Sequence, residues 1–202
     1  PDRSGAANRV QLSSLRDLAL QFAEQTGAAC RCDDIDQAAK TAADLDRFCS
    51  QVDVSVGCNV VPRGGGALSG TKVRGLLESA GFVHEPSGRF ELRGEDGSVL
   101  LVAEGIQGEP LTADRLRAGP VAGLTLAMDV PRVASGARVF ERMIDLARHL
   151  AHALDATVVD DNRAELTEGG LKLIRQQLKS VHAAMEAQGI PAGGALASRL
   201  FS

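Results

Sequence analysis

The sequence predicts an α+β domain, with helices on one face of a mostly antiparallel sheet and a helical extension ahead of it. Three observations predict this. Apolar residues alternate with polar or small ones through 52–61 and again through 121–130, the period of a strand buried on one face. Short strand-like runs at 81–84, 89–93 and 98–103 are separated by Glu85-Pro86-Ser87-Gly88 and Gly94-Glu95-Asp96-Gly97, both turn sequences. The last third changes period: Phe140, Met143, Ile144, Ala147, Leu150, Ala151 and Leu154 share one helical face, as do Leu171, Ile174, Leu178, Val181 and Met185. Strand, helix, a meander of strands, helix, strand, helix is an α+β order.

Taken along the chain, residues 1–12 are polar and small and are expected to fray. Ser13 or Ser14 opens an amphipathic helix carrying Leu15, Leu18, Phe22 and Ala23, which Gly27 ends. Asp34 opens a second helix with Ile35, Ala38, Ala42, Leu45 and Phe48 on one face. After the 52–61 strand, Pro62 and Gly64 to Gly66 form a loop, and Ser69 or Thr71 caps a short helix through Ala80. Residues 105–119 form a longer loop with one helical turn at 112–117. In the 121–130 strand Leu124, Leu126, Met128 and Val130 face one way, and Thr125 and Ala127 the other. A helix over 140–154, a strand at 156–159, a turn at Asp160-Asp161-Asn162 and a helix capped by Thr167 complete the domain. The expected divisions are a helical extension at 1–50, the main domain at 51–188 and a tail at 189–202.

Composition narrows the function. The 202 residues are 44% hydrophobic and 24% charged, so a core of ordinary size is expected; with no Trp or Tyr and six Phe, it is aliphatic. Stacking platforms for single-stranded nucleic acid are scarce, and a formal charge of −4 disfavours a phosphate-binding face. No run approaches the roughly 18 apolar residues of a membrane span, and no signal peptide opens the chain, so a soluble intracellular domain is expected. Cys30, Cys32, Cys49 and Cys58 are too sparse for a secreted disulfide scaffold and are read as free thiols in a reducing compartment.

The candidate catalytic and metal motifs fail on spacing. Cys30-x-Cys32 lacks the two-to-four-residue knuckle of a zinc site. His149 and His152 share a helix face but have no HExxH context. Arg63-Gly64-Gly65-Gly66 matches neither phosphate-loop pattern. Asp160 and Asp161 are adjacent on a strand end and diverge, which suits a turn better than a metal site. No catalytic residue, metal or cofactor is therefore assigned, and a binding module is expected rather than an enzyme.

From about Val52 onward the chain resembles the C-terminal domain of the ZipA family of bacterial cell-division proteins, which binds FtsZ. The resemblance rests on Leu124 to Pro131 (Leu-Thr-Leu-Ala-Met-Asp-Val-Pro) and on Phe140 to Ala151 (Phe-Glu-Arg-Met-Ile-Asp-Leu-Ala-Arg-His-Leu-Ala). It extends to Val158 to Asn162, the Thr167-capped helix and, more weakly, Leu68 to Phe82. The stretch from Gly189 to Phe201 looks like an ending found in a longer, divergent branch. The resemblance implies a split β-α-β domain with a six-stranded, mostly antiparallel sheet, helices on one face and the other face open to the C-terminal tail of FtsZ. It implies a place in septum assembly on the cytoplasmic side of the inner membrane, through an anchor and linker that this stretch does not include. The open-face positions it implies are Ser55, Gly57 and Asn59 on the first strand, Ser87 and Arg89 near the second and third, Leu101, Ala103 and Gly105 on the fourth, and Thr125 and Ala127 on the fifth. Ser55 and Gly57 stand where the family has larger apolar side chains, and Ala127 replaces an aromatic. The alternative is a nucleic-acid-binding or other adaptor module on the same scaffold. A third reading, an enzyme or carrier using Cys58, Asp160 or the histidines, requires those groups to converge.

Overall fold

The computed structural model describes residue 3 and residues 5–202. In chain order the elements are α1 (Arg9–Thr26), α2 (Ile35–Val52), β1 (Ser55–Pro62), β2 (Leu68–Ser69), α3 (Gly70–Ser79), β3 (Val83–His84), β4 (Phe90–Arg93), β5 (Val99–Gly105), α4 (Ala113–Ala118), β6 (Pro120–Val121), β7 (Leu124–Asp129), α5 (Gly136–Leu154), β8 (Ala156–Val159), α6 (Glu168–Ala187) and α7 (Ala195–Leu200). The chain divides into two compact units, residues 1–53 with 195–202, and residues 54–194.

In the first unit α1 begins earlier than its apolar pattern predicts. Asn8 caps it, accepting a bond from the Gln11 amide while the Gln11 side chain accepts from the Asn8 amide. This reciprocal pair satisfies two helix-end donors, so residues 9–12 are helical where fraying was expected. Gly27, at φ 68°, ends the helix in the left-handed conformation. The apolar stripe behaves differently from expectation: Ala23 is buried, while Leu15, Leu18 and Phe22 are 64, 64 and 66% exposed. The Asp34 carboxylate accepts from the Asp36 and Gln37 amides to cap α2, and Arg3 makes a paired contact with Asp53 at 3.1 and 2.7 Å.

The second unit is built on an antiparallel sheet ordered β3-β4-β5-β7-β1-β8, with a separate β2-β6 ribbon. Parity divides the sheet sharply. Leu124, Leu126 and Met128 of β7 pair with Val60, Cys58 and Val56 of β1, and Leu126 pairs with Ala103 of β5. This face packs on α5, whose Val139, Phe140, Met143, Ile144, Ala147 and Leu150 are buried. The core is aliphatic, as composition requires, with Phe90 and Phe140 as its large fully buried aromatics. The single predicted strand at 121–130 is two: β6 stops at Val121 and β7 starts at Leu124. Thr167 caps α6 by accepting from the Gly170 amide at 3.2 Å. Residues 189–194 stay with this unit, where the Gly193 amide donates to the Pro131 carbonyl at 3.0 Å.

Candidate functional site: the open sheet face

Opposite the helix-packed face, the alternate residues of β1, β4, β5 and β7 are half-buried or exposed. Strand β7 reads buried, intermediate, buried, intermediate from Leu124 onward. Its outward Thr125 and Ala127 register with Asn59 and Gly57 of β1 on one side and with Glu104 and Val102 of β5 on the other. Glu91 of β4 lies opposite Val102, and Val83 of β3 opposite Glu91. Two rows therefore cross the strands. One runs Glu91–Val102–Ala127–Gly57, a span of about 14 Å at the usual strand spacing. The other, Glu104–Thr125–Asn59–Val159, lies beside it and continues onto β8.

From Val102 to Gly57 the first row carries only small or aliphatic side chains. A Cβ on Gly57 would lie 2.8 Å from the Leu126 carbonyl oxygen, closer than side-chain carbons approach, so the strand contact itself favours glycine here. The whole second row lines a cavity of about 350 Å³, with Ile106, Asp161 and Arg163 among its other walls. Its polar wall is organised: Thr125 Oγ1 donates to Asn59 Oδ1 at 2.7 Å, and Asn59 Nδ2 donates to Asp161 Oδ1 at 3.1 Å. Asp160 holds the adjoining turn by accepting from the Asn162 and Ala164 amides at 2.9 and 2.8 Å. Two non-glycine residues of the rim, Gln107 and Arg163, both have φ 62°. The rim charges pair locally, Arg89 Nε to Glu104 Oε2 at 3.0 Å and Arg93 to both Glu85 and Glu91.

Of the positions implied by the resemblance, Ser55, Gly57, Thr125 and Ala127 lie on this face. Arg89 precedes β4 and reaches Glu104 across it, whereas Ser87 sits in the exposed turn between β3 and β4. Leu101, Ala103 and Gly105 require correction. They are buried, Leu101 and Ala103 at 0% exposure, on the helix-packed side, and the outward residues of β5 are Val102 and Glu104. A strand has period two, so a one-residue error in parity moves every side chain to the other face. The run Val99 to Ala103 is apolar throughout and carries no alternation to set the parity. Glu104 is the missed signal: turning its carboxylate outward places 102 and 104 together. Asn59, also an expected outward position, lies on this face opposite Thr125, and Val61, Asp161 and Arg163 reach the site as well.

The other candidate groups do not gather here. Cys58 is fully buried on the helix side, and burial pushes its thiol up to about 12. His149 and His152 are exposed on α5. Among the described residues no cluster of three or more His, Cys, Asp or Glu could hold a metal, and no helix is long and apolar enough to cross a membrane. An aromatic platform is missing from the open face. Phe82, Phe90 and Phe140 are buried, and Phe22, Phe48 and Phe201 belong to the first unit.

Residues 55–177 match the family model of the ZipA C-terminal FtsZ-binding domain. No curated protein matches the chain.

Proposed function

The chain belongs to the family of ZipA C-terminal FtsZ-binding domains, and from that premise we propose that its open sheet face binds the C-terminal tail of FtsZ, as a non-catalytic adaptor in septum assembly. The observation that carries this reading is the row Val102–Ala127–Gly57, a strip of small and apolar side chains on the helix-free face of the sheet. Such a strip lets a peptide backbone approach closely and receives its bulky side chains, rather than supplying bulk of its own. The cavity lined by Glu104, Thr125, Asn59 and Val159 adds a second recess alongside it. Ser55, Gly57, Arg89, Thr125 and Ala127 are the proposed contacts, joined by Asn59, Val102 and Glu104. The site works at the cytoplasmic side of the inner membrane.

The expected affinity is modest. A micromolar complex requires about 8 kcal/mol. Each large apolar side chain buried contributes about 1.5–3 kcal/mol, from which the cost of association is subtracted. Titrating the chain into a fluorescently labelled FtsZ C-terminal peptide tests the reading by polarisation. Saturable binding in the micromolar to sub-millimolar range is expected, weakened about tenfold or more by Ala127→Asp, which places a charge at the centre of the strip. Absence of saturable binding up to millimolar peptide, or equal binding by Ala127→Asp, overturns it.

A further inference from the structure

The connector between α1 and α2 holds a pair of thiols that the tail-binding reading does not use. Cys30 and Cys32 are both exposed, and their sulfurs lie 3.5 Å apart, a thiol–thiol hydrogen-bond contact. In an extended segment residues i and i+2 project to the same side, so the C-x-C spacing brings the sulfurs together. Residues 28–34 form neither helix nor strand, so local rotation there breaks no helix or sheet bond. Two residues of extended chain span about 7 Å, and a disulfide accepts Cα separations of about 4.4–6.8 Å; a slight bend closes the difference. The hydrogen bond with Cys30 is the main cause that holds the Cys32 thiol above its ordinary value. Cys49, half-buried in α2, and the buried Cys58 offer no comparable pair.

We propose that Cys30 and Cys32 form a dithiol site that exchanges with small-molecule disulfides and closes reversibly to an intrachain 30–32 disulfide. The thiolate of either cysteine, for instance Cys30, attacks one sulfur of the external disulfide. That S–S bond breaks, one half leaves as a thiolate and takes up a proton, and Cys30 is held as a mixed disulfide. Cys32 then loses its proton and attacks the Cys30 sulfur, expelling the second half as a thiol. The two protein thiols give up two electrons and two protons, and the external disulfide gains them. A thiol reductant reverses both steps. Closure places Arg31 inside a small covalent ring and fixes the backbone between the two helices.

Incubating the reduced full chain with oxidised glutathione tests the proposal, read by intact mass, thiol titration and peptide mapping. The wild-type chain is expected to lose two hydrogens and two titratable thiols, with a 30–32 link that dithiothreitol reverses. Cys30→Ser and Cys32→Ser should each retain one glutathione adduct at the remaining cysteine, because the resolving thiol is gone, and Cys49→Ser should behave as wild type. Substitutions at these exposed positions leave far-UV dichroism as a check on folding. Persistent glutathione adducts on the wild-type chain, a link involving Cys49, or unchanged thiol content would each overturn the proposal.

Discussion

Asn59 couples two strands and a turn through three side-chain contacts. It accepts from Thr125 on β7 and donates to Asp161 and to the Asp160 carbonyl beyond β8. The cluster is part-buried, so its polar atoms are less well served by water than those of the exposed rim. Asn59→Ala removes these bonds and leaves the Thr125 hydroxyl without this acceptor. The expected loss is about 1–2 kcal/mol, seen as a lower urea midpoint at unchanged m-value. An unchanged midpoint would show that the network adds nothing to stability. At this scale the sequence was only partly legible. Asn59 is visibly an outward residue of an alternating strand, but its partners lie 66 and 102 positions away. Only the register of β1 against β7 and β8 brings them within reach.

Between elements, α5 and α6 are joined by an ion pair of good geometry. Arg175 Nε donates to Glu141 Oε1 at 2.6 Å and Nη2 to Oε2 at 2.9 Å. The Arg175 hydrogen bonds hold the Glu141 carboxyl below its ordinary value. A carboxylate whose pKa is depressed on folding stabilises the folded state above its unfolded pKa, and that contribution disappears as pH falls through the folded value. Glu141 is largely exposed, so solvent screening limits the effect to about 0.5 kcal/mol. Glu141→Gln is therefore expected to be slightly less stable than wild type at neutral pH. The difference should shrink as pH enters the carboxylate range and vanish below the lowered pKa. Urea unfolding across that range checks it; a difference that persists in acid assigns the effect to packing. Both helices were readable from their 3.6-residue stripes, and the Thr167 cap from its position. The start of α1 was equally present in Asn8 and Gln11, but the cap lies ahead of the apolar pattern that draws attention to Ser13.

As a whole, the chain holds two compact units, and the family match falls within the second. Residues 54–194 contain the complete six-stranded sheet together with α3 to α6. That fragment is expected to unfold in one cooperative transition and to bind the FtsZ tail peptide with the affinity of the full chain. Calorimetry and polarisation measure the two outcomes separately. A folded fragment with lost binding would place part of the site in residues 1–53 or 195–202. What the sequence by itself determined was the α+β class, most of the element order and the family, because strand and helix periods and turn residues are local properties. Which face each strand presents was local only where apolar and polar residues alternate, as in β1 and β7. In β5 the unbroken apolar run left parity undetermined, and pairing with β7 decided it by burying Leu101 and Ala103 and turning Val102 and Glu104 outward. Tertiary structure also decided that small residues distant in sequence, Gly57 and Ala127, lie opposite one another as the floor of the proposed groove. Hydrogen-bond register sets that juxtaposition, and it is a property of two strands together rather than of either sequence alone.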